Sequence, residues 1–182
     1  MNEADQIIEA MGLLFASAVM SHSGHANASV RVAGQDAQML LTSGGSVRGL
    51  TAKDIARVTF DGEAVEGELA PVAREIVEMH AVVYRERPAV GCVIHTHSPR
   101  VTSFALAHTP LPCAYEALLR FGVTDDIPVA AWAPRGSKES AANILAQLTA
   151  HPDTPAVLLA NHGLLAFGAN PLAVAYLIIA LE

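Results

Sequence analysis

Basic clusters, long apolar runs and cysteines are all scarce in this sequence of 182 residues. The chain has 11 Lys and Arg residues and 18 Asp and Glu residues. The resulting net charge of −7 argues against nucleic acid or an anionic membrane as a partner. No segment reaches the roughly 18 apolar residues of a membrane span, and the first residues lack the features of a secretory signal. Cys92 and Cys113 are too few for a disulfide framework. We therefore expect a cytoplasmic protein with two buried thiols.

A glycine-rich phosphate loop and a regular βαβ series are also missing, which excludes a doubly wound parallel fold. Apolar residues make up 52% of the chain, enough to fill the core of a domain of this length. Since no linker or repeat interrupts the sequence, residues 1–182 are expected to form a single domain. Two predicted hairpins, over 28–41 and 57–66, indicate antiparallel strands. The expected architecture is a layered α/β domain.

Helical periodicity and capping residues predict six helices along the chain. They cover residues 4–20, 73–87, 99–107, 114–121, 137–151 and 171–181. The last is apolar on every side, so it must be buried in the core or against another subunit. A short helix after Thr51 and a short strand over 129–131 complete the pattern.

The clearest chemical signal is a set of three histidines that follow two apolar segments. His95 and His97 alternate in an extended segment, so their side chains project to the same side. His162 follows a second apolar run and precedes Gly163, which permits a close backbone approach. Three neutral imidazoles with an open fourth position are typical of a catalytic zinc site. The alternative is a group of core histidines whose nitrogens are all hydrogen-bonded.

Five motifs in this order resemble the class II aldolase/adducin family over nearly the whole chain. They are Ser29-Val-Arg31, Leu41-Thr-Ser-Gly44, Tyr84-Arg-Glu-Arg-Pro88, Ile94-His-Thr-His-Ser98 and Asn161-His-Gly-Leu164. The resemblance implies a three-layer α/β/α sandwich with a mostly antiparallel central sheet. It also implies a divalent metal, Zn²⁺ or another such as Mn²⁺ or Co²⁺, on His95, His97 and His162, and active sites between the subunits of a homotetramer.

Three functions fit that resemblance. The first is a metal-dependent carbon–carbon lyase, an aldolase or decarboxylase, that acts on a small anionic hydroxy-carbonyl or sugar-derived substrate. The metal would stabilise the enediolate formed when the bond breaks. The second is a sugar-phosphate epimerase or dehydratase, which shares the enediolate step. The third is a non-catalytic assembly module like the adducin head, which would not need all three imidazoles.

Proton transfer in this family is assigned to a glutamate four residues before a histidine that corresponds to His80. Here that position is Ile76. Helical geometry places Glu75 at the edge of the face that carries Ile76 and His80, whereas Glu78 lies on the opposite side. Glu75 is therefore the predicted proton-transfer group. The alternative is a solvated glutamate that complements the helix dipole.

Substrate binding is where the sequence departs most from the family. Asn27, Ser43 and Gly44 correspond to part of a phosphate-binding pattern, but Ala73-Arg74 replaces its two serines. Arg74 offers a planar fork for a carboxylate or phosphate, unless it is simply an exposed residue near the helix start. The substrate is therefore expected to be anionic without being necessarily phosphorylated.

A tyrosine completes the predicted site in some family members. The aldolases use one from a C-terminal tail, and no residue after Glu182 supplies it here, so we expect a domain that lacks this tail. Tyr115 lies near the position of another tyrosine that reaches the site in some members. A packing role with a hydrogen-bonded hydroxyl is the alternative for Tyr115.

Overall fold

The computed structural model describes residues 2–182, and their centre is an eight-stranded sheet. The strands are β1 (Ala26–Arg31), β2 (Gln38–Thr42), β3 (Ile55–Thr59), β4 (Ala64–Glu66), β5 (Cys92–Thr96), β6 (Val129–Ala130), β7 (Ala156–Leu159) and β8 (Gly163–Gly168). Their spatial order is β4-β3-β2-β1-β5-β8-β7-β6. Every neighbouring pair is antiparallel except β6 and β7, which run parallel.

Six α-helices cover the two faces of this sheet. They are α1 (Glu3–Ala16), α2 (Pro71–Arg74), α3 (Val77–Glu86), α4 (Pro99–Leu106), α5 (Lys138–Ala150) and α6 (Pro171–Leu181). One core packs α1, α4 and α6 against the sheet, and a second core on the other face contains residues of α2, α3 and α5. Two separate cores on the two faces of one sheet make three layers. The predicted α/β/α sandwich with a mostly antiparallel sheet is confirmed.

Both predicted hairpins are present, with β1 paired to β2 and β3 paired to β4. The predicted capping box at Thr51 is also found, where it opens a 3-10 helix over Ala52–Asp54. The side chains of Ser137 and Asn170 accept hydrogen bonds from the first turns of α5 and α6, as N-cap residues do.

Three predicted helices differ from those observed. The first helix ends at Ala16 rather than at residue 20, because Ala18 takes a left-handed conformation with φ of 57°. The helix predicted over 73–87 is broken at Glu75 and Ile76. The amide of Ile76 bonds to the carbonyl of Ala73, three residues back, which tightens the chain and separates α2 from α3.

The helix predicted over 114–121 is a 3-10 helix over Glu116–Phe121 that ends at Gly122. The last helix, α6, buries most of its apolar side chains as predicted, although Tyr176 is 52% exposed. Within residues 2–182, no helix combines the length and apolarity needed to cross a bilayer.

Candidate metal centre

His95 lies in the middle of the sheet, where its neighbours on both sides are fixed by strand register. In β5 it pairs with Asn27 of β1 on one side and with Leu165 of β8 on the other. This pairing brings the end of β5 next to the start of β8. The turn that carries His162 immediately precedes β8, so two segments far apart in sequence meet at the same ends of two central strands.

The structure brings His95, His97 and His162 into one cluster. Nε2 of His95 lies 3.0 Å from Nε2 of His97. The ring centroids of the three imidazoles are 4.5 to 4.9 Å apart, and one nitrogen of each lies within 4.8 Å of the others. Nitrogens that share a tetrahedral zinc ion at about 2.0–2.1 Å are roughly 3.3 Å apart. The spacing of His95 and His97 is close to this value, and the wider separations in the cluster would have to shorten by up to about 1.5 Å to hold one ion.

Gly163 makes this convergence possible. A Cβ atom at that position would lie 2.5 Å from the carbonyl oxygen of Thr96 and 3.0 Å from Cδ2 of His97. The backbone at the start of β8 therefore lies closer to β5 than it could if the residue at position 163 carried a side chain. Asn161, which precedes His162, takes a left-handed conformation with φ of 61° in the turn between β7 and β8.

Hydrogen bonding and burial keep the three imidazoles neutral, the state in which a histidine can bind a metal. Nδ1 of His95 donates to the carbonyl of Leu164 at 2.8 Å, which leaves Nε2 with its lone pair facing the cluster. Burial holds the pKa of His95 well below its usual range, and the neighbouring histidines add to the effect. Burial, followed by the charges of His97 and Arg135, lowers the pKa of His162 to about 4. Lone pairs are therefore available at neutral pH.

A cavity of about 490 Å³, which we call the metal pocket, opens beside the cluster. Its walls are His25, Ala26, Asn27, Gly44, Gly45, Ser46, Val72, Ala73, Ile76, His95, His97, Arg135 and His162. Ile76, only 5% exposed, stands in this wall at the position where the family resemblance expects a glutamate. The described lining contains no carboxylate.

A second cavity of about 220 Å³, the side pocket, adjoins the first and shares His162 and Arg135 with it. Glu75 lines this side pocket, and its Oε2 accepts a hydrogen bond of 2.8 Å from Nε of Arg135. Glu78 also lines the side pocket, and it accepts two hydrogen bonds from Arg85, at 2.8 and 3.0 Å. The role of Glu75 in proton transfer stays a prediction.

Asn27 is held by a buried polar chain behind the metal pocket. Its Oδ1 lies 2.6 Å from Nε2 of His80, and Nδ1 of His80 lies 2.7 Å from the hydroxyl of Ser29. The same hydroxyl lies 2.8 Å from that of Tyr84. Asn27 is thus positioned at the wall of the metal pocket by contacts that reach into the second core.

The other predicted substrate residues are placed differently. Gly44 lines the metal pocket, whereas Ser43 uses its backbone to bond Asp54 and Ala70 and lies outside the lining. Arg74, exposed at the end of α2, lines neither cavity. Tyr115 is 64% exposed and lies in a groove beside the end of α6, because the 3-10 helix that it precedes packs there.

Three residues of the site were missed from the sequence: His25, Ser46 and Arg135. A signal existed for His25, in the segment Ser21-His-Ser-Gly-His25 that follows the first helix. Arg135 had a weaker one, since it stands alone in the loop before α5. Only the folded chain shows that this loop meets Glu75.

A layered α/β domain in which three imidazoles converge at the ends of neighbouring strands has the arrangement of a candidate divalent-metal site. The family described as class II aldolase and adducin N-terminal domain matches residues 5–182, and the chain belongs to this family.

Curated relatives and a solved structure agree with that membership. The chain is 36% identical to 5-deoxy-D-ribulose 1-phosphate aldolase of Bacillus thuringiensis serovar kurstaki, over 68% of this chain and 54% of that protein. It is 37% identical to methylthioribulose-1-phosphate dehydratase of Hahella chejuensis, over 59% of this chain and 50% of that one. The chain therefore spans about half the length of these relatives. A solved L-fuculose 1-phosphate aldolase superposes with a TM-score of 0.82 at 28% identity, covering 97% of this chain and 79% of that chain.

Proposed function

We propose that this chain carries the metal site of a carbon–carbon lyase of the aldolase type, acting on a small anionic hydroxy-carbonyl or sugar-derived compound. The observation that carries the proposal is the convergence of His95, His97 and His162 at the metal pocket. In the alternative of hydrogen-bonded core histidines, the 3.0 Å contact between His95 and His97 would be a hydrogen bond, but within residues 2–182 the imidazole of His162 has no such partner.

The three imidazoles would hold the divalent ion, with Zn²⁺, Mn²⁺ and Co²⁺ all compatible with nitrogen donors. When bound, such an ion would act as a Lewis acid on the substrate carbonyl and would favour cleavage of the bond between the α and β carbons. The Leu164 carbonyl holds His95 in the tautomer and orientation that this ligation requires.

Glu75 is the carboxylate we assign to proton transfer. Its Oε2 is engaged by Arg135, and Oε1 has no hydrogen bond within residues 2–182, so one oxygen remains able to take and return a proton. The break between α2 and α3 falls at this residue and turns its side chain toward Arg135, which lines the metal pocket.

Substrate anions would meet Asn27 and the loop at Gly44, both in the wall of the metal pocket. Ser43 and the exposed Tyr115 are assigned roles only by the family resemblance, and Arg74 only by the chemistry of its guanidinium at a position where the family has a serine. The homotetramer, in which sites lie between subunits, is likewise part of the proposal, and a neighbouring subunit would be the one to use Tyr115.

A dehydratase is the second candidate, because one relative at 37% identity is named for that activity. The two reactions differ in their products. Aldol cleavage of a 1-phosphorylated 2-ketose breaks the C3–C4 bond, removes the C4 hydroxyl proton and returns a proton to C3. Dehydration releases water and keeps the carbon chain whole.

Product analysis on the zinc-loaded protein tests the proposal. The substrates are 5-deoxyribulose 1-phosphate, fuculose 1-phosphate and 5-methylthioribulose 1-phosphate, with His162→Ala as the control. Dihydroxyacetone phosphate released together with an aldehyde supports the aldolase. A dehydrated product with all its carbons would support the dehydratase instead. Protein that neither retains metal nor converts any of the three would indicate a non-catalytic module.

A further inference from the structure

Arg135 stands at the boundary between the metal pocket and the side pocket, and it lines both cavities. His162 is the metal-binding candidate that lies at the same boundary. The charge of Arg135 also contributes, after burial and a neighbouring histidine, to lowering the pKa of both His97 and His162. The guanidinium is thus close enough to the imidazoles to contact a small molecule that is bound beside them.

The side chain of Arg135 is held by one atom only. Nε donates to Oε2 of Glu75 at 2.8 Å, and within residues 2–182 neither terminal nitrogen has a protein partner. Gly136 packs closely beneath this pair, since a Cβ at that residue would lie 3.3 Å from Cα of Glu75, and its φ of +76° disfavours any side chain. The loop is thereby fixed against Glu75, and the outer edge of the guanidinium is left available.

On the side of the metal pocket, nothing repels a negative charge from that edge. The described lining of the metal pocket contains Arg135 but no Asp or Glu, whereas Glu75 and Glu78 line the side pocket. Side chains of Arg135 and Glu75 are about half exposed, at 49% and 48%, so a small solute can reach them. A guanidinium with two free nitrogens on one edge matches the two oxygens of a carboxylate or phosphate.

We infer that Arg135 binds an oxyanion at the end of the substrate remote from the metal, and that Glu75 orients the guanidinium through Nε. The inference rests on the proposed function, because it assumes that the three imidazoles hold a metal that binds the other end of the substrate. It assigns the anion-binding role to Arg135 in place of Arg74, which lines neither cavity.

Three compounds with one common head group separate the two ends of the site. Malate, 3-phosphoglycerate and 2-hydroxybutyrate share an α-hydroxycarboxylate that can chelate zinc, and they differ in a terminal carboxylate, phosphate or methyl group. Their dissociation constants are measured by calorimetry on the zinc-loaded chain. The wild type is expected to bind malate or 3-phosphoglycerate at least about tenfold tighter than 2-hydroxybutyrate, as a charge-assisted bond to arginine implies. Of malate and 3-phosphoglycerate, the compound whose affinity exceeds that of 2-hydroxybutyrate by the larger factor identifies the oxyanion as a carboxylate or a phosphate.

Variants of Arg135 complete the test. Arg135→Met should reduce that preference to within about threefold while leaving zinc content and the affinity for 2-hydroxybutyrate unchanged, and Arg135→Lys should keep part of it. Lys138→Met removes the same charge from a residue that lines neither cavity and should keep the full preference. An unchanged preference in Arg135→Met, or none in the wild type, would overturn the inference while the metal site stands. If the wild type holds no zinc, or does not bind 2-hydroxybutyrate, both the proposed function and the inference that rests on it are overturned.

Discussion

Nε2 of the buried His80 lies 2.6 Å from Oδ1 of Asn27, and this contact couples the wall of the metal pocket to the second core. Burial lowers the pKa of His80 to about 3, so its ring is neutral and carries a single N–H. Because an amide oxygen only accepts, that hydrogen is on Nε2, and Nδ1 accepts from the hydroxyl of Ser29. The amide nitrogen of Asn27 is thereby left free to donate to a ligand.

Replacing His80 should therefore destabilise the protein. His80→Gln removes the ring from a fully buried site and leaves Ser29 or Asn27 without a well-placed partner. The expected loss in the free energy of unfolding is about 1–3 kcal/mol, measured by urea denaturation. His22→Gln, at an exposed position, should stay within about 0.5 kcal/mol of the wild type. Equal effects of the two substitutions would show that the buried contacts contribute nothing.

The same residue predicts a pH dependence of stability. The pKa of His80 is 6.5 when unfolded and about 3 when folded, so below pH 6.5 the unfolded state binds a proton that the folded state does not. The stability contributed by His80 is complete above pH 6.5 and falls by up to about 1.4 kcal/mol per unit as the pH drops toward 3. Between pH 7.5 and 5, the stability difference between wild type and His80→Gln should shrink by about 2 kcal/mol. A difference that stays constant over that range would refute the assignment.

Gly163 predicts a second, purely steric effect. Gly163→Ala places a methyl group against the carbonyl of Thr96 and the ring of His97, and the start of β8 must move away. A loss of about 1–3 kcal/mol in the free energy of unfolding is expected, together with weaker zinc binding.

Gly12 provides the matched control for this substitution. It lies inside α1, and a Cβ there would meet nothing within 4 Å. Gly12→Ala should therefore stabilise the chain by about 0.5–1 kcal/mol and leave zinc binding unchanged. If Gly163→Ala also stabilises and binds zinc normally, the close approach of β8 to the histidine strand is not required.

Glu75 and Glu78 distinguish proton transfer from surface charge. Glu75→Gln should retain zinc and lower turnover by about a hundred- to ten-thousandfold, as expected for a lost general acid or base. Glu78→Gln should turn over like the wild type, because that carboxylate is bound to Arg85. Steady-state kinetics on the substrate that the wild type converts provides the measurement. Wild-type turnover in Glu75→Gln would assign proton transfer to another group.

Much of the fold was predictable from the sequence because it depends on local patterns. The hairpins, the cap at Ser137 and the buried last helix follow from alternation, capping residues and composition. The break at Glu75 and Ile76 was not, since the segment has good helical periodicity and only the structure shows the bond from the Ile76 amide to the carbonyl of Ala73.

In the site, too, the contacts that are local in sequence could be predicted and the long-range contacts could not. His95 and His97 are neighbours in one extended segment, so their proximity could be predicted. His162 was grouped with them because it follows a second apolar run, and the family motifs supported that grouping. No local pattern shows the pairing of β5 with β8 that brings it there, because this is a long-range register. The contact between Glu75 and Arg135 spans 60 residues, and no local pattern encodes it.

Metal analysis tests the central claim most directly. The purified chain is loaded with zinc, dialysed and measured by elemental analysis beside His95→Ala, His97→Ala and His162→Ala, with His151→Ala as an exposed control and circular dichroism as a check of folding. About one zinc ion per chain is expected in the wild type and the control, and little or none in the three variants, whose fold should persist. A wild type that retains no zinc, or a His162→Ala variant that retains it in full, would contradict a metal centre built on these three histidines.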